Sequence, residues 1–519
     1  MMGKTSTVSV WLVVALSVAV WAEVRPNKLF SDNMVLQQGM AVPIWGTASP
    51  GEKVTVDFAG QIRSATADLN GRWMVRLASM SASAEPRTMT ITGSTGDLKS
   101  QISSILVGEV WVCSGQSNME RQLGLRPSQK PIDNWQQEVA DANYPLIRHF
   151  GVARRTSDTP VTDVSGTWEV CSPQTASQFT AVGYFFGRDL HKAIKVPIGL
   201  IHSSVGGTPA EAWTSRPTLE AHPELRGLIE AYEQSIKDFP DRLEQYKQEA
   251  SKLMEKYNAD VEQAKKGGKP LPRRPSAPVE PSRAMGHPCG LYNAMIVPLQ
   301  PYAIRGAIWY QGESNDGRAS QYLSLFPKMI ADWRKAWDQG QFPFLFVQIA
   351  PHVGKTPEIR EAQLLSWQRT HNTAMVVLTD CGDPNDIHPP RKQPVGARLA
   401  LAARAIAYGE KIEYSGPVFK VMKIQGARAT LTFTHIGKGL TAKDGDLRGF
   451  TIAGKDKVFV PAQAEIRGRT VVVQSPQVAR PVAVRYGWAN VPDGNLFNKE
   501  GLPASPFRTD VVGMGSHLH

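Results

Sequence analysis

Five apolar runs constrain this chain more than any other feature: Ile105 to Cys113, Val196 to Ile201, Ile304 to Tyr310, Phe344 to Ala350 and Met375 to Asp380. They are strand-sized, and unbroken apolar character, as opposed to alternation, means burial on both faces. Amphipathic stretches lie between them, so the pattern predicts a parallel sheet covered by helices on both sides. In such sheets the ligand crevice lies beyond the carboxyl ends of the strands. The residues just past each run are therefore where chemistry is to be sought.

The flanks read differently. Between about residues 24 and 104, alternating segments such as Lys53 to Phe58 and Thr88 to Thr92 are divided by Pro-Gly, Asn-Gly and Ser-Thr-Gly turns, the pattern of an antiparallel β module. The texture returns after about residue 413, in Ala429 to Phe433, Thr470 to Val473 and Val482 to Tyr486. The expected division is a leader over 1–22, a β module over 23–104, the central α/β domain over 105–412, a second β module over 413–511 and a tail over 512–519. Inside the central domain, residues 216–284 form an insertion. There Tyr232, Ile236, Phe239, Leu243, Tyr246, Ala250, Leu253, Tyr257 and Val261 follow a 4,3 spacing broken at Pro240, which reads as a helical hairpin or two consecutive amphipathic helices. A packed insertion is preferred to a partner-binding coiled coil, with Gly267 to Pro281 as the linker back to the sheet.

At 519 residues the chain is too long for a single core. Its formal charge of +11 is spread out, with no dense basic block outside Lys269 to Arg274, which argues against specific nucleic-acid binding. Near the N-terminus, Lys4 precedes a mostly apolar run of 13 residues, Val8 to Val20, with Trp21 and Ala22 after it. That is the pattern of a secretory leader, and it falls short of the roughly 20 residues needed to span a bilayer. A mature protein beginning near Glu23, soluble outside the cytoplasm and without a membrane span, is the expectation. Cys113, Cys171, Cys289 and Cys381 form no CxxC pair and could make at most two disulfides. No HExxH or clustered His/Cys pattern points to a metal, and no cofactor is indicated.

The strand ends carry more specific signals. After the first run comes Gly115-Gln116-Ser117-Asn118, after the second Gly206-Gly207-Thr208, and after the third Gly312-Glu313-Ser314-Asn315. After the last come Asp380, Asp383, Asp386 and His388. These are the parts of an acyl-transfer site. A serine hydroxyl barely ionises at neutral pH, so Ser117 needs a base, and His388 titrates in a suitable range. The N–H groups of Ser117 and Gly206 and the amide of Asn315 are candidate donors to an oxyanion, each worth on the order of 3 kcal/mol. An acceptor must also fix the His388 tautomer.

Together with the stretches Arg25 to Gly46 and Asn495 to Asp510, these motifs resemble the sialate O-acetylesterase-like branch of the SGNH (GDSL-like) hydrolases. The resemblance implies a flavodoxin-like three-layer α/β/α catalytic domain flanked by β modules. It also implies Ser117 as nucleophile, His388 as general base, and Gly206 and Asn315 as oxyanion donors. The wider superfamily has its acid three residues before the histidine, where this chain has Asn385. Asp386 is the nearest carboxylate and Asp383 the next, and a dyad steadied by a backbone carbonyl is the alternative. Trp111, Trp213, Trp309 and Tyr310 adjoin the motifs and could face sugar rings or fill the core. Gln116 and Glu313 could bond sugar hydroxyls or brace the loops. The expected function is a secreted carbohydrate O-acetylesterase acting through an acetyl-serine without metal or cofactor. The alternatives are an esterase for acetylated xylan or another plant polysaccharide, and a carbohydrate-binding protein without catalysis.

Overall fold

The computed structural model of the protein describes residues 24–94 and 99–510; the expected leader and the whole of the expected tail lie outside the described residues. A large, mostly parallel sheet occupies the centre. Its strands are β1 (Lys99–Gly115), β2 (Tyr144–Gly151), β3 (Trp168–Cys171), β4 (Ile198–Ser204), β5 (Gly306–Tyr310), β6 (Phe344–Val347) and β7 (Thr373–Val376). They lie in the order β3-β2-β4-β1-β5-β6-β7, all parallel except β3 against β2. All five apolar runs thus supply strands. The chain leaves β1 to build one side of the sheet and later returns to build the other, so the order reverses beside β1, where a ligand crevice opens in folds of this kind.

The helices that matter here are α1 (Ser117–Glu120), α2 (Ala181–Ile194), α3 (Pro223–Lys237), α4 (Phe239–Lys266), α5 (Ala319–Trp337), α6 (Pro357–Arg369) and α7 (Gln393–Ile406). Strand pleating sends neighbouring side chains to opposite cores. Val110, Val112, Trp309, Phe344 and Phe346 join the core shared with α5 and α6. Trp111, Cys113, Ile308, Leu345 and Val347 join the core shared with α2 and α7. Each such side chain contributes about 1.5–3 kcal/mol on burial.

The sequence pattern misses β2 and β3. Arg148 and His149 interrupt β2, yet both are buried: Arg148 donates to Asn33 Oδ1 at 3.0 Å, and His149 stacks on Phe179. Their partners come from distant parts of the chain, which no local pattern reveals. β1 runs without a break through 104/105, where the N-terminal module was expected to end. Its first part pairs with Ser83–Gly93 and with Val35–Gln37, its last part with β4 and β5. At the changeover the buried Glu109 carboxylate accepts from Gln37, Gln38 and Arg305 at 2.6–3.1 Å.

In the insertion, α3 and α4 are consecutive helices hinged at the single residue Asp238, with Pro240 in the first turn of α4, where its missing N–H costs nothing. Pro272, Pro275 and Pro278 in the returning segment are half-buried at a spacing of three, the period of a polyproline helix. The C-terminal β module is anchored by Arg508, which forms a double hydrogen bond to Glu361 of α6 at 2.8 and 2.9 Å. All four cysteines are free and buried, and burial pushes the Cys171 and Cys289 thiols up to about 12.

Candidate active site

The site is assembled at the carboxyl ends of β1, β4 and β5. Gly115 closes β1 with φ +135°, and a Cβ there would lie 2.2 Å from the Tyr310 carbonyl oxygen. Only glycine lets β1 approach β5 so closely. Gln116 then caps α1, and Ser117 stands half-exposed at its first residue, flanked by the buried Gln116 and Asn118.

Gly206 lies against Ser117: a Cβ at 206 would be 3.3 Å from the Ser117 Cβ and 2.9 Å from a Glu120 carboxylate oxygen. A side chain here would occupy the space in front of the serine. Asn315 is buried, and its Oδ1 accepts from the Ala210 N–H at 2.9 Å and from Gln311 at 2.6 Å. Its Nδ2 donates to Glu211 at 2.9 Å. An amide nitrogen carries two hydrogens, so the orientation is fixed and one N–H is left for another acceptor.

Asn118 ties the serine turn to the histidine loop. Its Nδ2 donates to Glu313 Oε1 at 2.7 Å and to the Ile387 carbonyl at 2.9 Å, and its Oδ1 accepts from Lys392 Nζ at 2.5 Å. The residue after Ser117 is thereby bonded to the residue before His388. Asp386 Oδ1 accepts the His388 backbone N–H at 2.8 Å and lies 3.9 Å from Nδ1, beyond hydrogen-bonding distance. Asp383 is engaged by Lys130, and Asp380 by Arg398 at 2.7 and 2.8 Å. Of the three, Asp386 is the carboxylate beside the imidazole. Burial holds the His388 imidazole below its ordinary range, helped by Lys392, Arg126 and Arg121 and opposed by Asp386. The free-base form that a proton acceptor needs is favoured accordingly.

The expected sugar contacts are corrected. Gln116, Glu313 and Trp213 are 3%, 5% and 0% exposed, and each is engaged inside the protein. Gln116 Oε1 accepts the Ser314 N–H at 3.2 Å, Glu313 holds Asn118, and the Trp213 ring packs edge-on against Trp309 while its N–H bonds Thr208. Trp111, Trp309 and Tyr310 are core residues too. A pleated strand alternates its faces, so adjacency in sequence does not place a ring in the cleft.

Two features went unread. Lys392, fully buried, lies in a Pro-Pro-Arg-Lys stretch that reads as a solvated basic turn; its place four residues after His388 is the available signal. Glu120 receives both Arg126 at 3.2 Å and Arg154 at 2.6 Å, with Arg154 exposed. Glu120 sits one helical turn after Ser117.

The region 285–404, which contains Asn315, His388 and Lys392, matches the family model described as carbohydrate esterase, sialic acid-specific acetylesterase. A carbohydrate acetylesterase of known crystal structure from Xanthomonas citri is 36% identical and superposes with a TM-score of 0.78, covering 94% of this chain and 100% of that one. The sialate O-acetylesterases of Mus musculus and Rattus norvegicus are 32% and 31% identical, each aligned over 94% of both chains. With 94% of both chains aligned at that identity, the chain belongs to the sialate O-acetylesterase family of carbohydrate esterases and is an ester hydrolase.

Proposed function

We propose that the protein is a secreted carbohydrate O-acetylesterase with an SGNH-type three-layer α/β/α catalytic domain over residues 105–412. It works through an acetyl-serine at Ser117. The observation that carries this reading is the bare Gly206 against Ser117, with Asn118 bonding the serine turn to the His388 loop. The Ser117 hydroxyl attacks the acetyl carbonyl carbon while His388 takes its proton. The oxyanion so formed is met by the N–H groups of Ser117 and Gly206 and by the remaining Asn315 N–H. Collapse breaks the ester bond, the sugar oxygen leaves with the proton from His388, and acetyl stays on Ser117. Water, deprotonated by His388, repeats the attack and releases acetate. Asp386 steadies the imidazolium in both halves.

Arg126 and Arg154 share the single Glu120 carboxylate, leaving net positive charge beside Gly206. This favours an acetylated sugar that carries a carboxylate, a sialic acid, over a neutral xylan. Secretion rests on the leader pattern of residues 1–22; among the described residues no helix is long and apolar enough to cross a membrane.

The test compares wild type, Ser117→Ala and His388→Ala on a chromogenic acetyl ester, then on O-acetylated sialosides and acetylated xylo-oligosaccharides. Hydrolysis lost in both variants, with sialosides preferred, supports the reading. Activity retained by Ser117→Ala refutes it, and preference for xylo-oligosaccharides refutes the substrate assignment.

A further inference from the structure

We propose that Lys392 is a positioning residue that acts from inside the protein: through the Asn118 carboxamide it aligns the Ser117 turn with the His388 loop, and it sets a buried positive charge at the base of that loop. The inference rests on the reading of Ser117 and His388 as nucleophile and base. Lys392 is the residue before α7 and has no exposed surface. Its Nζ donates to Asn118 Oδ1 at 2.5 Å and lies 5.4 Å from the centre of the Tyr310 ring. Asn118 passes the contact on, at 2.7 Å to Glu313 and at 2.9 Å to the Ile387 carbonyl. The result is a cation and a carboxylate joined by one amide, with Ser117 attached to that amide's own residue and His388 attached to the carbonyl it binds.

Such an arrangement is expensive to bury, and a simple scaffold would use apolar side chains instead. Glu313 Oε2 has no hydrogen-bond partner among the described residues, so the network does not exist merely to satisfy that carboxylate. The groups acting on Lys392 are Glu313, Asp386 and the Cys381 thiol, which favour its charge, and Arg121, which opposes it. Burial outweighs them and brings its ammonium down to about 7. Burial likewise raises the Glu313 carboxyl. The charge on Lys392 in turn lowers His388. While Lys392 is protonated, His388 therefore stays in its free-base form to lower pH than it otherwise would.

Lys392→Met and Lys392→Gln remove the charge, and the glutamine keeps a donor for Asn118. Both are expected to raise the acid limb of the kcat/KM profile by roughly half to one pH unit. They are also expected to lower kcat roughly 10- to 100-fold with little change in KM, as misalignment of reacting groups does. Lys392→Arg keeps the charge and should leave the acid limb at its wild-type position even where its bulk slows the reaction. The His388 ring is also titrated by NMR in the Ser117→Ala background with and without Lys392→Gln. That arm reads the imidazole whether or not hydrolysis takes place, so it separates failure of this inference from failure of the catalytic reading. An upward shift in both measurements supports the proposal. An unmoved imidazole in folded Lys392→Gln protein, or an unchanged kcat, overturns it.

Discussion

Two lysines tie down the loop of residues 380–392: Lys130, which reaches it from outside, and Lys392, its own last residue, which anchors it inside. Lys130 reaches Asp383 from solvent, with side chains 54% and 21% exposed, while Lys392 holds Asn118, which in turn holds Glu313, from within. By contact geometry the two look alike. They differ in dielectric surroundings, since water and salt screen the outer pair and nothing comparable screens the inner set. The outer contact contributes little to stability. Breaking the inner one strands charge and amide groups without partners, a far larger penalty.

Mutation can break or sharpen this contrast. The largest effect is expected for Ser117→Ala, which removes the proposed nucleophile beside the inner network: kcat falls by roughly 10⁴-fold or more, and thermal unfolding stays near wild type because the side chain is half-exposed. A marked loss of melting temperature would make Ser117 a structural residue. Asn315→Ala comes next, at roughly 10²- to 10³-fold in kcat with KM little changed; a pure rise in KM would instead make it a binding residue. Asn118→Ala should cost about 3 kcal/mol in a denaturant titration, because it removes the bridge between Lys392, Glu313 and the Ile387 carbonyl.

The pH profile comes next in size. As the proposed general base His388 must be unprotonated, and its surroundings lower it, so the acid limb of wild-type kcat/KM should lie below the ordinary imidazole value of about 6.5. An acid limb above that value contradicts the electrostatics described. The smallest effect belongs to the outer pair. Lys130→Ala and Asp383→Asn should each keep kcat/KM within about twofold, whereas Asp386→Asn should lose more. Were Lys130→Ala as damaging as Asn118→Ala, the contrast between the two sides would be wrong.

Much of this molecule is legible in its sequence, and what is not has definite causes. The apolar runs give five strands of the central sheet because burial on both faces leaves an unbroken local signature. β2 escapes because the Arg148 and His149 that break its apolar pattern are buried against Asn33 and Phe179, partners far away in the chain. The four site motifs stand out as small polar clusters after strands, and the loops that carry them are cross-bonded. Which neighbours of those motifs face the cleft is not legible: Trp213 and Glu313 sit in short helical turns that direct them inward. Lys392 hides for the opposite reason, since a lysine in a proline-rich basic stretch belongs in water unless a buried amide and carboxylate await it.

The 17-residue span of β1 also changes how the protein can be cut or fused. One end of that girder is laced into the N-terminal module, and the other stops two residues short of Ser117. Severing the chain at 104/105 would saw through the beam, and mechanical load applied to the module would be delivered to the Ser117 turn along a single backbone. The front part of the protein is therefore best treated as the butt of a tool whose proposed cutting edge is Ser117.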